Sequence, residues 1–150
     1  MRYFAYGSNI DICQTRKRVG NFKFIGIATL NGYDIKFNKK STIDGSGKAN
    51  IVKAGKTSKV EGVVFEFTGA QFDLMDNAEK GYHRSEPLNV LIGGEITRVL
   101  TYIADFEITG LLPSIGYLKI IKDAAEMIGL SDSYQKKLKS FQAREEQNNL

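Results

Sequence analysis

The chain has 150 residues, 42% hydrophobic and 25% charged, with a formal charge of +4 and one cysteine. Such values describe a single globular domain with its own core and exclude wholesale disorder, an internal disulfide and a Cys-rich metal site. With no apolar run near the ~20 residues of a bilayer span and no signal-peptide layout at the N-terminus, a reducing, cytoplasmic setting without a membrane partner is expected.

Residues 2–6, Arg-Tyr-Phe-Ala-Tyr, read as a strand that runs directly into Gly7-Ser8-Asn9. Asn9 or Asp11 can cap a short helix over about 10–18, whose Arg16-Lys17-Arg18 end suits the negative helix terminus. Phe22, Phe24, Ile25, Ile27 and Leu30 suggest the next strand, and Tyr33, Ile35 and Phe37 alternate as in a half-buried one. Residues 38–48 read as a polar Gly/Ser loop. Short and longer strands follow over 49–54 and 60–67.

Helical spacing then takes over from Gly69 to Lys80, with Phe72, Met75 and Ala78 on one side. Two strands, about 82–92 and 95–104, flank the turn Gly93-Gly94. Pro113 fits a first helical position and Gly129 a C-terminal cap, with Ile115, Leu118, Ile121 and Ala125 forming the apolar stripe between them. A last helix starts near Ser131, with Tyr134, Leu138 and Phe141 inward. This gives one domain over 1–141 and a polar tail over 142–150 that frays. Many strands and few helical crossovers mean an α+β fold with a mixed or antiparallel sheet, able to roll into a barrel, and not a doubly wound parallel sheet.

Two places invite chemistry. A glycine at Gly7 lets the backbone turn sharply and approach a ligand, and amides opening a helix can cradle an anion; a plain helix cap by Ser8 or Asn9 uses the same residues. Glu79 sits at the C-terminal end of its helix, where the dipole disfavours a carboxylate, so it is either a solvated surface residue or one a pocket uses. The remaining suspects read as structural. His83, the only histidine, has no Gly-x-Ser-x-Gly elbow to serve and reads as a strand residue facing solvent or a pocket rim. Cys13 reads as a buried thiol, and Asp44-Gly45-Ser46-Gly47-Lys48 lacks the spacing of a phosphate loop. The 21 basic residues, against 17 acidic, are scattered, which argues against nucleic acid as a partner.

Tyr3-Phe4-Ala5-Tyr6-Gly7-Ser8-Asn9 resembles the opening signature of the gamma-glutamylcyclotransferase family. The likeness continues through Val60–Phe65, Leu74–Glu79 with Gly81-Tyr82, Pro113–Tyr117, Gly129-Leu130 and Tyr134, in the family's order. It implies a small mixed β-barrel with peripheral helices, the AIG2-like fold, and an enzyme that cleaves a small gamma-glutamyl substrate by cyclisation, releasing 5-oxoproline and an amine or amino acid without a cofactor or metal. Carried over by position, Glu79 becomes the general acid/base, and Tyr6, Gly7, Ser8, Asn9, Tyr82 and Tyr117 bind substrate. A catalytically inactive member that binds a small metabolite is the alternative. In this chain Ile10 stands where leucine is usual, and Glu79-Lys80-Gly81-Tyr82 compresses the family's spacing between the glutamate and the tyrosine.

Overall fold

A computed structural model describes residues 1–145. Strand β1 (Arg2–Ala5) lies antiparallel to β5 (Lys59–Glu66), and β5 pairs in turn with β2 (Lys23–Asn31). β2 continues to β7 (Leu88–Ile92), and β7 to β8 (Glu95–Val99), completing a five-stranded sheet in the order β1-β5-β2-β7-β8. Just past β8, Leu100 bonds back to β1: Phe4 N–H donates to Leu100 O and Leu100 N–H to Arg2 O, both at 2.9 Å. That exchange joins the two ends of the sheet and curls it as a barrel does, leaving fewer open edges. Phe4, Phe65, Phe67 and Phe72 fill the interior completely buried.

Two smaller ribbons flank it, β3 (Tyr33–Lys40) with β4 (Gly47–Lys53), and β6 (Tyr82–Arg84) with β9 (Tyr102–Ala104). The helices are α1 (Ile12–Val19), α2 (Gly69–Ala78), α3 (Ile115–Ile128) and α4 (Asp132–Ser140). None is long and apolar enough to cross a membrane. The α+β architecture expected from the sequence is the one observed.

Several expectations are corrected. The polar loop is shorter than 38–48, because Lys39 and Lys40 pair with Lys48 and Gly47 after a bulge, leaving 41–46 as the connection. Backbone pairing there overrides side chains of low strand propensity. Residues 82–92 are two strands in two sheets: Pro87, without an N–H to donate, separates β6 from β7. The stretch 95–104 divides likewise into β8 and β9, while Gly93 and Gly94, at φ 56° and 84°, make the hairpin turn. Pro113 precedes α3, whose cap is Ser114, accepting from Tyr117 N–H at 3.2 Å. Gly129 ends α3 in the left-handed conformation.

The first helix is capped by Asp11, whose carboxylate accepts from Cys13 N–H at 3.0 Å and Gln14 N–H at 3.3 Å. This frees Ser8 and Asn9 from capping. Asp11→Ala should cost about 1 kcal/mol, read as a lower urea midpoint at unchanged slope. Cys13 is exposed, not buried, because α1 turns Thr15 and Val19 inward instead. At the far end, the stretch expected to fray from 142 is tied back at its start: Arg144 N–H donates to Pro113 O at 2.9 Å. Residues 146–150 lie outside the described residues.

Candidate active site

β1 ends at Ala5, and the chain passes through Tyr6 and Gly7 into a single 3-10 turn over Ser8–Ile10. The turn's ladder opens with Ile10 N–H donating to Gly7 O at 3.1 Å. The amides of Ser8 and Asn9 come before that bond and have no acceptor within the turn. Space at Gly7 is tight: a Cβ there would lie 3.1 Å from the Ala49 methyl and 3.6 Å from the Tyr117 hydroxyl.

Beside this loop lies a small, half-open chamber lined by Tyr3, Tyr6, Gly7, Ser8, Asn9, Ala49, Glu79, Tyr82, Tyr102 and Tyr117. All seven residues singled out from the sequence therefore meet in one cavity. Glu79 is the last residue of the α2 turn ladder, its N–H donating to Met75 O at 2.9 Å. Its side chain is only 17% exposed, so the solvated-glutamate reading is overturned. The compressed Glu79–Tyr82 segment is what places two of these groups. Tyr82 N–H donates to Glu79 O at 3.2 Å, and Gly81 adopts φ 82°, which only glycine takes readily. This tight turn sends both Glu79 and Tyr82 into the chamber.

Asn9, 3% exposed, ties loop to carboxylate. Its Nδ2 donates to Glu79 Oε1 at 2.5 Å and to the Tyr3 hydroxyl at 2.9 Å. Its Oδ1 accepts from Arg18 at 2.7 Å and from Gln14 Nε2 at 3.2 Å. Arg18 itself stands 3.6 Å from Glu79 Oε1. Burial raises the Glu79 pKa above its ordinary value, and Arg18, the Asn9 hydrogen bond, Lys39 and Lys48 pull against that rise without cancelling it.

The tyrosines differ in what their hydroxyl protons do. Tyr6 donates to Tyr102 O at 2.5 Å and Tyr82 to Ala49 O at 2.7 Å, so both are committed to the backbone. The Tyr117 oxygen instead accepts from Ala49 N–H at 3.0 Å, which leaves its proton for another partner in the chamber. Burial pushes all three phenols upward, so they stay neutral. His83 lies outside, exposed, with Nδ1 2.7 Å from Asp105 Oδ1. A histidine relay in this chamber is thereby ruled out.

Sequence reasoning missed Tyr3, Ala49 and Tyr102 in the lining and the anchoring of Asn9 by Arg18 and Gln14. A signal existed: a buried tyrosine needs a partner for its hydroxyl, and five of the chain's seven tyrosines converge here. The Ala49 contribution had none, because it acts through its backbone. Among the described residues no three His, Cys, Asp or Glu side chains are placed to hold a metal.

Comparison with known proteins agrees with this architecture. A structure named gamma-glutamyl cyclotransferase matches with a TM-score of 0.89 at 25% identity, over 99% of this chain and 92% of its own. A human protein described as uncharacterized matches equally well, with a TM-score of 0.89 at 26% identity over 99% and 92%. A yeast gamma-glutamyl cyclotransferase described as specific to glutathione shares the fold at 11% identity, with a TM-score of 0.72 over 92% and 93%. No curated protein matches the sequence. The AIG2-like family model matches residues 59–138, more than half of the chain. The chain, whose described residues form a curled sheet with four α-helices, belongs to the AIG2-like family.

Proposed function

We propose that the protein is a gamma-glutamyl cyclotransferase, with Glu79 as general acid/base and the Tyr6–Asn9 loop, Tyr82 and Tyr117 gripping the gamma-glutamyl portion. The observation that carries this reading is the sheltered Glu79 carboxylate beside the unspent amides of the N-terminal loop. The similarity to a named cyclotransferase supports it from outside.

The substrate carries its own nucleophile. Its α-amine attacks its γ-carbonyl and closes a five-membered ring, so the protein has to select the folded-back conformer. First the α-ammonium must lose a proton. Between that group and an ordinary glutamate the gap is about 5 kcal/mol, too large for a surface carboxylate to bridge well. Burial narrows the gap from both sides, raising the carboxyl and lowering the ammonium. Glu79 accepts the proton, and the amine then forms the C–N bond as the carbonyl oxygen gains charge. Amides of the loop and the Tyr117 O–H are the donors for that oxyanion. The carboxylic acid returns that proton to the departing amine nitrogen as the old C–N bond breaks, and the same carboxylate takes the second proton that the ring nitrogen must lose and passes it to the freed amine, so that 5-oxoproline and an ammonium leave.

The test is 5-oxoproline release across a panel of gamma-glutamyl amino acids and amines. Release supports the enzyme; binding of the panel without release would make the chamber a metabolite-binding site instead. Tyr117→Phe keeps the ring but deletes the unspent proton, and should lower kcat about 10-fold with a smaller change in KM. An unchanged kcat would remove Tyr117 from the oxyanion's donors. In the wild type, kcat should fall on the acid side with a midpoint above the ordinary glutamate range, because the base must be ionised and burial raises its pKa.

A further inference from the structure

The chamber adjoins a wider, open vestibule, and the two share Ser8, Glu79, Tyr82 and Tyr117. A gamma-glutamyl group seated in the chamber with its carbonyl near Glu79 has the vestibule on the side the two spaces share, with room there for its leaving group. The vestibule wall is cationic, carrying Arg18, Lys39, Lys48 and Lys80 against Asp44 and Glu79.

These charges are not equally available. Arg18 is spent on Asn9 and Glu79. Asp44 is occupied by Ser46, whose N–H and Oγ–H donate to it at 2.9 and 2.6 Å, and Arg144 stands 3.9 Å away. Among the described residues, none of the three lysines has an ion-pair partner. Two of them stand over the tyrosines that chamber and vestibule share: Lys48 Nζ is 4.0 Å from the Tyr117 ring centre, and Lys39 Nζ 5.4 Å from that of Tyr82. Both are half-buried, so their charges are less well hydrated than those of free surface lysines. Burial accordingly lowers the Lys48 pKa, an effect that a bound anion opposes. A leaving group with two carboxylates compensates more of this wall's positive charge than one with a single carboxylate.

We propose that this vestibule is the leaving-group subsite and that Lys39, Lys48 and Lys80 select gamma-glutamyl compounds whose leaving amine carries two carboxylates, an acidic amino acid or acidic dipeptide. The inference rests on the cyclotransferase reading and deepens it. Neutral and cationic amines leave the lysines uncompensated and are turned over less efficiently.

The experiment compares kcat/KM for gamma-glutamyl-glutamate, gamma-glutamyl-glutamine and gamma-glutamyl-ethylamide, which carry two, one and no leaving-group carboxylates. The expected order follows the carboxylate count, with the first exceeding the last at least ~10-fold at low salt and the ratio shrinking as salt is raised. In the Lys39→Gln/Lys48→Gln double variant that ratio should collapse toward one. Equal efficiencies in the wild type, or a ratio the double variant leaves intact, overturn the subsite while the cyclotransferase reading stands. If no substrate releases 5-oxoproline, the cyclotransferase reading fails, and calorimetry with glutaryl-glutamate then decides the subsite. That probe lacks the α-amine and cannot cyclise. Binding weakened ~10-fold in the double variant supports the lysines' role, and equal binding overturns it.

Discussion

Glu79→Gln is expected to abolish 5-oxoproline release, lowering kcat by about 10²–10⁴-fold, while the protein stays folded. Glutamine keeps the shape of the side chain and an oxygen able to accept from Asn9 Nδ2, so the chamber survives the change. What disappears is the capacity to take and return a proton. Stability should move the other way. Because burial raises the Glu79 pKa in the folded state, the native protein binds that proton more tightly than the unfolded chain does. The resulting stability is fully present below the unfolded glutamate pKa and is lost as pH rises through the folded value. At pH 7 the native carboxylate therefore weighs against folding, and the glutamine variant, which does not titrate, escapes that cost. Urea midpoints should be higher for Glu79→Gln at about pH 7 and converge with the wild type toward about pH 4. A variant that retained activity would end Glu79's candidacy as the base.

Asn9→Ala is expected to strike both stability and rate. The side chain is buried and bonded on both sides, its two N–H donating to Glu79 and Tyr3, with Met75 Sδ close by at 3.4 Å, and its oxygen accepting from Arg18 and Gln14. Truncation strands the buried Tyr3 hydroxyl and loosens Arg18, at a cost of about 2–3 kcal/mol. It also releases the carboxylate from its fixed direction, and misplacement of a reacting group by about 1 Å costs on the order of 10²-fold in rate. The pH profile separates positioning from mere damage. The Asn9 hydrogen bond holds the Glu79 pKa down, so its loss should move the acid limb of kcat to higher pH. A lower kcat with an unmoved limb would mean that Asn9 supports the fold without tuning the carboxylate.

The two predictions concern a single contact between residues 70 positions apart, and that separation marks where reading the sequence stops. The opening strand, the Gly93-Gly94 hairpin, the α3 stripe and the Gly129 stop were legible because local geometry alone produces them. Periodicity of two or near four, a positive φ and a capping side chain are short-range causes that leave marks within a few residues. The extension of β3 and β4 over Lys39 and Lys48 left no such mark, since backbone pairing with a partner strand made it. The same holds for the division at Pro87, where the proline was visible but the two different partner strands were not.

The site divides in the same way. Sequence by itself marked where chemistry could lie: a flexible loop with spare amides and one carboxylate against the grain of its helix, to which the family resemblance added Tyr6, Tyr82 and Tyr117. Only the tertiary structure decided that these share a chamber, because the contact that joins them, Asn9 to Glu79, links the loop after β1 to the end of α2. It alone decided that Glu79 is desolvated and that Asn9 holds it. Burial and hydrogen bonding are properties of what surrounds a side chain, and those surroundings come from distant segments of the chain.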